Sequence, residues 1–210
     1  MEKIYYQTLK ETLFHEELEN GLEVYLLPKI GFEKTYGLFS TRFGSIDTTF
    51  VPLGQKEMIK VEDGIAHFLE HKMFDMENGD AADEFAKLGA SSNAFTSSSR
   101  TAYLFSTTTN ENDCVELLLD FVQSLNITDE SVEKEKGNFF SKKFPFPPCS
   151  PSFKKRYFLT EQRRAYLVQW ERCAFLLQLC CIQERNGKKS SWLCEKLRAM
   201  NRCFKIIWYG

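Results

Sequence analysis

The chain has 210 residues, 43% of them apolar and 27% charged, with a formal net charge of −2. The apolar share can bury a real core and excludes wholesale disorder. The near-zero charge argues against a generic polyanion binder, and no run approaches the roughly 18 apolar residues of a membrane span. The opening MEKIYYQTLKETLFHEELENG has no apolar stretch after its lysine, so it does not read as a secretory signal, and a cytoplasmic protein is expected. Seven cysteines, an odd number in such a chain, argue against a disulfide framework.

In chain order, residues 21–29 have strand composition and end at the turn signal of Pro28, and residues 34–47 form a second strand candidate broken by Gly44 and Ser45. Residues 51–64 read as a polar loop. The spacing of Ile65, Phe68, Leu69 and Met73 predicts a helix over 65–76, with Asp63 as its cap. A short helix follows over 80–90, with Gly89 as its stop. Residues 91–109, rich in Ser, Thr and aromatics, read as a hairpin or paired strands. An amphipathic helix is predicted over 112–125, and another starts at Thr128, where an acidic first turn suits the helix dipole.

The character of the chain then changes. Residues 1–138 carry 12 Lys+Arg and 25 Asp+Glu, a balance of −13; residues 139–210 carry 15 and 4, a balance of +11. The second part holds six of the seven cysteines and all three tryptophans, and it has no aspartate or histidine. Pro145, Pro147, Pro148 and Pro151 fall within seven positions and must end any helix launched at Thr128. Beyond them the apolar residues lie on all sides of a notional helix. Such an asymmetry marks two regions of different physical kind, 1–137 and 138–210, the latter expected to be poorly ordered. The spacings of Cys173, Cys180, Cys181, Cys194 and Cys203 lack C-x-x-C pairs, which argues against a metal site there. The basic run 154–156 with Arg163 and Arg164 reads as a solvated or disordered segment rather than a nucleic-acid surface.

The constellation that carries chemistry is His67-Phe-Leu-Glu70-His71, an H-x-x-E-H pattern. On a helix the two histidines stand one turn apart on one face, so both imidazoles can reach one Zn²⁺. Glu70 lies between them, suited to act as a general base on water. Phe68 and Leu69 point to the opposite face and anchor the helix in the core. The same five residues also fit two surface histidines with a solvated glutamate between them.

The segment DGIAHFLEHKMF (63–74) resembles the metal helix of the pitrilysin/insulinase family of zinc peptidases. Residues 89–103, GASSNAFTSSSRTAY, resemble that family's G-x-x-x-N-A-x-T…T-x-Y segment, and SVEKEKG (131–137) resembles the start of the helix that supplies its third ligand. The upstream YGLFSTRFGSIDTTFVPLG is similar to the bacterial processing-peptidase-like branch. The resemblance covers roughly residues 1–137. It implies an α+β fold, a two-layer arrangement of antiparallel sheet with helices on one face. It implies Zn²⁺ held by His67 and His71, Glu70 as general base, and Glu135 supporting the site from behind the ligands. It implies that Asn93 and Ala94 lie on an edge strand that pairs with an extended peptide substrate. Taken alone, Asn93 fits an ordinary strand and Glu135 a solvated helix carboxylate.

The third ligand departs from the pattern. The resemblance puts a glutamate seven residues after Glu135, where this chain has Lys142, a poor ligand that a zinc ion would repel. The family's subunits also contain a second, similar half, to which nothing here corresponds. The composition break and the loss of resemblance coincide, which fits a sequence from about Asn138 onward that is translated out of frame from a peptidase gene or comes from a disrupted gene. The expected function is zinc-dependent peptide hydrolysis, impaired in this chain. The alternatives are a catalytically inactive partner of a related peptidase subunit and a truncated remnant. The expected substrate is a peptide or unfolded polypeptide, with neither nucleic acid nor membrane as a partner.

Overall fold

The computed structural model describes residues 1–19, 21–51, 56–61, 63–77, 79–124, residue 128 and the backbone of 173–174. Two antiparallel sheets dominate. The first has the order β1-β2-β3 and consists of β1 (Glu2–Tyr6), β2 (Glu11–Glu17) and β3 (Glu23–Leu26). The second is built on β4 (Thr35–Thr41), β9 (Ser91–Thr96) and β10 (Thr101–Thr107), with a two-residue β11 (Cys173–Ala174) beside β4, in the order β11-β4-β10-β9. Among the described residues, two small strand pairs complete the set. One is β5 (Thr49–Phe50) with β6 (Ile59–Lys60), and the other is β7 (Asp75–Met76) with β8 (Gly79–Asp80).

Among the described residues, three helices pack against the second sheet: α1 (Ile65–Met73), α2 (Ala81–Lys87) and α3 (Glu111–Gln123). Strand periodicity fixes which face they cover. Thr101, Tyr103, Phe105 and Thr107 alternate inward along β10 and are all nearly inaccessible. Tyr103 lies opposite Phe39 of β4 and Ala94 of β9, so the three form one row across the sheet. Onto this face the helices and the end of α1 bring Phe74, Phe85 and Phe121, whose rings meet Tyr103 and Phe105 at centroid distances of 5.3–6.4 Å. Leu118, Leu119 and Val122 of α3 and Leu69 and Met73 of α1 close the core. The expected α+β layering is therefore present, with the strands divided between two main sheets.

Several boundaries differ from the sequence-based expectation. The hairpin β1–β2 lies in a stretch for which no strand is predicted, and β6 lies within the expected polar loop. Helix α1 ends at Met73 rather than 76, because residues 75–76 turn back to pair with 79–80. Asp63 does not cap α1. The chain enters the helix through Gly64 at φ +87°, with no side-chain cap bond, which leaves Asp63 one residue outside the capping position. By contrast Asp80 caps α2 through a 2.8 Å bond from the Ala82 amide, and Gly89 at φ +77° stops it. The expected helix from Thr128 and the whole expected tail lie outside the described residues, apart from Thr128 and β11. Among the described residues no helix is long and apolar enough to cross a membrane.

Candidate metal centre

Helix α1 separates its faces as the spacing requires. Phe68 and Leu69 are 5% and 0% exposed and face the core, while His67 and His71 are half-buried on the other side. The histidine Nε2 atoms stand 3.2 Å apart, with ring centroids 4.9 Å apart. Two nitrogens each ~2.0–2.1 Å from a tetrahedral zinc ion are separated by ~3.3 Å, so the pair presents the spacing that such an ion demands. Burial holds the His67 imidazole below its usual pKa, helped by the neighbouring His71 and opposed by the Glu70 carboxylate. A neutral imidazole keeps the lone pair that a metal needs.

Glu70 is only 9% exposed, which excludes the solvated glutamate of the simpler reading. A buried carboxylate requires a donor, and Thr96 supplies it: its hydroxyl donates to Glu70 Oε2 at 2.7 Å. Thr96 sits on β9, directly across from Thr101 of β10. The Thr101 hydroxyl is in turn bonded to the Phe43 carbonyl at 2.9 Å. Sequence reasoning quoted Thr96 in a pattern but gave it no role. The contact joins residues 26 apart in the chain, and only the sheet brings them together.

Asn93 and Ala94 also lie on β9, at the edge of its sheet among the described residues. The Ser97 amide donates to the Arg100 carbonyl at 2.8 Å, so the pairs two residues further on, Phe95 with Ala102 and Asn93 with Leu104, share the ladder bonds. The amides of Ala94 and Thr96 consequently point outward. The Ala94 amide is taken by the side chain of its own neighbour, Asn93 Oδ1, at 2.9 Å. The loop after β4 braces this hairpin, since the amides of Ser45 and Ile46 donate to the carbonyls of Ser97 and Ser98 at 2.9 and 3.1 Å.

Thus His67, His71, Glu70 and the β9 edge are brought together. Glu135 and Lys142 lie outside the described residues. Among the described residues no cluster of three metal-ligating side chains occurs, so two imidazoles fit a zinc ion there and a third protein ligand is not among them.

Residues 50–142 match the sequence profile of the Insulinase (Peptidase family M16) family. Over 134 residues, 64% of the chain, the sequence is 60% identical to the uncharacterized zinc protease YmfH of Bacillus subtilis (strain 168), covering 31% of that protein. Among solved structures, an M16-like peptidase from Alicyclobacillus acidocaldarius aligns over 79% of this chain and 45% of its own, at 33% identity and a TM-score of 0.65. Pitrilysin aligns over 83% of this chain and 22% of its own at a TM-score of 0.58; its 16% identity speaks for the fold alone. The chain spans about a third of the Bacillus relative and under half of the Alicyclobacillus one.

Proposed function

We propose that the N-terminal part of this chain, which matches the insulinase family of peptidases over residues 50–142, is a member of that family and that its site serves zinc-dependent hydrolysis of peptide bonds. The observation that carries the proposal is the 3.2 Å separation of the two histidine nitrogens on one helix face, with a nearly buried carboxylate one residue from His71. His67 and His71 would hold the ion. When bound, zinc polarises a substrate carbonyl and makes water a stronger nucleophile near neutral pH. Glu70 takes a proton from the attacking water and returns it to the leaving amine. The outward amides of β9 receive an extended peptide as an added strand, with Asn93 swinging off the Ala94 amide to admit it. Glu135 would support the ligands from behind.

Lys142 favours a second reading, a chain that pairs with a related peptidase subunit without cleaving peptide itself. Calorimetric titration with zinc separates the two. The wild type should bind weakly, Lys142→Glu should bind at least tenfold more tightly, and His67→Ala should abolish binding. In the Lys142→Glu background, Glu70→Gln should keep zinc and lose peptide cleavage by about 10²–10⁴-fold. Zinc affinity indifferent to His67→Ala would remove the peptidase reading. Tight zinc binding without cleavage, together with stable association with a full-length relative, would favour the second.

A further inference from the structure

We infer that Thr96 is a positioning residue for Glu70, fixing one carboxylate oxygen so that the other is presented beside the histidine pair. The inference rests on the peptidase reading for its purpose, though not for its geometry. Glu70 has three side-chain torsions, and nothing in helix α1 itself restrains the last of them. The hydrogen bond from Thr96 Oγ1 to Oε2 at 2.7 Å is the bond that Glu70 makes among the described residues. It is charge-assisted and therefore of the stronger kind.

The donor is itself held. Thr96 is β-branched, which stiffens its first torsion. It lies on the helix-facing side of β9 with Ala94, and directly across from it is Thr101, which is fully buried. The two hydroxyl oxygens are 3.5 Å apart, but each has its proton committed elsewhere, Thr101 to the Phe43 carbonyl and Thr96 to Glu70. That assignment fixes the direction of the Thr96 O–H bond. The carboxylate on α1 is thus tied to the same strand whose outward Ala94 and Thr96 amides would receive a peptide. One β-strand then places both the incoming backbone and the proton acceptor. Errors of about 1 Å between such groups cost rate even when binding is intact.

The test compares Thr96→Val, which keeps the shape and removes the donor, with Thr96→Ser, which keeps the donor. The first readout is the carboxylate stretching band of Glu70, isolated as the infrared difference between each protein and its Glu70→Gln counterpart. Thr96→Val should shift this band and Thr96→Ser should not. The second readout is peptide turnover by the zinc-loaded Lys142→Glu protein. Thr96→Val should lower kcat about 10–100-fold with KM unchanged, and Thr96→Ser should recover most of it. Should the valine variant fail to fold, Thr96→Ala serves in its place. An unshifted band in the donor-free variant overturns the inference whether or not the chain cleaves peptide, and so does a loss carried by KM alone. A shifted band in a protein that never cleaves peptide upholds the restraint on Glu70 and counts against the peptidase reading instead.

Discussion

Phe105 and Gly37 face each other across the central strand pair, and the ring of one occupies the volume a side chain at the other would need. A Cβ built on Gly37 would lie 2.3 Å from Phe105 Cε1. The ring cannot retreat, because it is fully buried and stacked on Phe85 at 5.8 Å. Glycine at 37 is therefore a packing requirement of the sheet-to-helix interface.

Gly37→Ala should destabilise the fold by about 1–3 kcal/mol, the usual cost of overfilling a packed core. Urea unfolding followed by circular dichroism reads this directly. A midpoint within error of the wild type would mean that the ring has somewhere to go.

Lys72 is 1% exposed and bonded to Asp75 at 2.5 Å, at the end of the helix that carries the histidines. Removing only the carboxylate strands a cation, so Asp75→Ala should cost about 1–3 kcal/mol; water reaches the 41%-exposed Asp75 side chain and moderates the loss. Lys72→Met removes the charge together with its need for a partner and should cost less. Thermal melts of the two variants side by side give the ordering.

The pH dependence of the metal-free protein follows from His67. Its folded pKa lies below the ordinary 6.5, chiefly through burial. The folded state thus disfavours the protonated ring. This contribution to stability is complete above pH 6.5 and is lost as pH falls through the lowered folded value. Denaturation midpoints taken from pH 7.5 downward should decline, and His67→Asn should flatten the part of the curve just below pH 6.5.

The out-of-frame reading of the sequence from about Asn138 predicts that another frame of the coding DNA, after codon 137, encodes a helix with a glutamate at the position of Lys142 and then further family sequence. Sequencing that DNA decides it. Absence of such a frame would leave the basic, aspartate-free tail as a feature of the protein in its own right.

How much was legible beforehand depended on whether the information was local. The α1 face, with His67, Glu70 and His71, could be read because an i, i+4 spacing fixes it within one turn. The pairing of β9 with β10 was legible from the Ser, Thr and aromatic composition of residues 91–109. The first hairpin was not, since β1 and β2 carry charge on both faces and show no clean alternation. Gly44 looked like a simple strand break. It proves to be a point of backbone contact, where a Cβ would meet Ser98 O at 2.5 Å, and no local pattern announces that. The link from Thr96 to Glu70 was hidden for the same reason, being a product of tertiary arrangement alone.

The bond between Asn93 Oδ1 and the Ala94 amide has a meaning for life in a crowded solution. An open sheet border invites stray chains to anneal to it. Here one of its outward donors is already engaged from within, so an accidental visitor gains one fewer bond than the border could offer. A visitor held by further contacts can displace the amide side chain and stay.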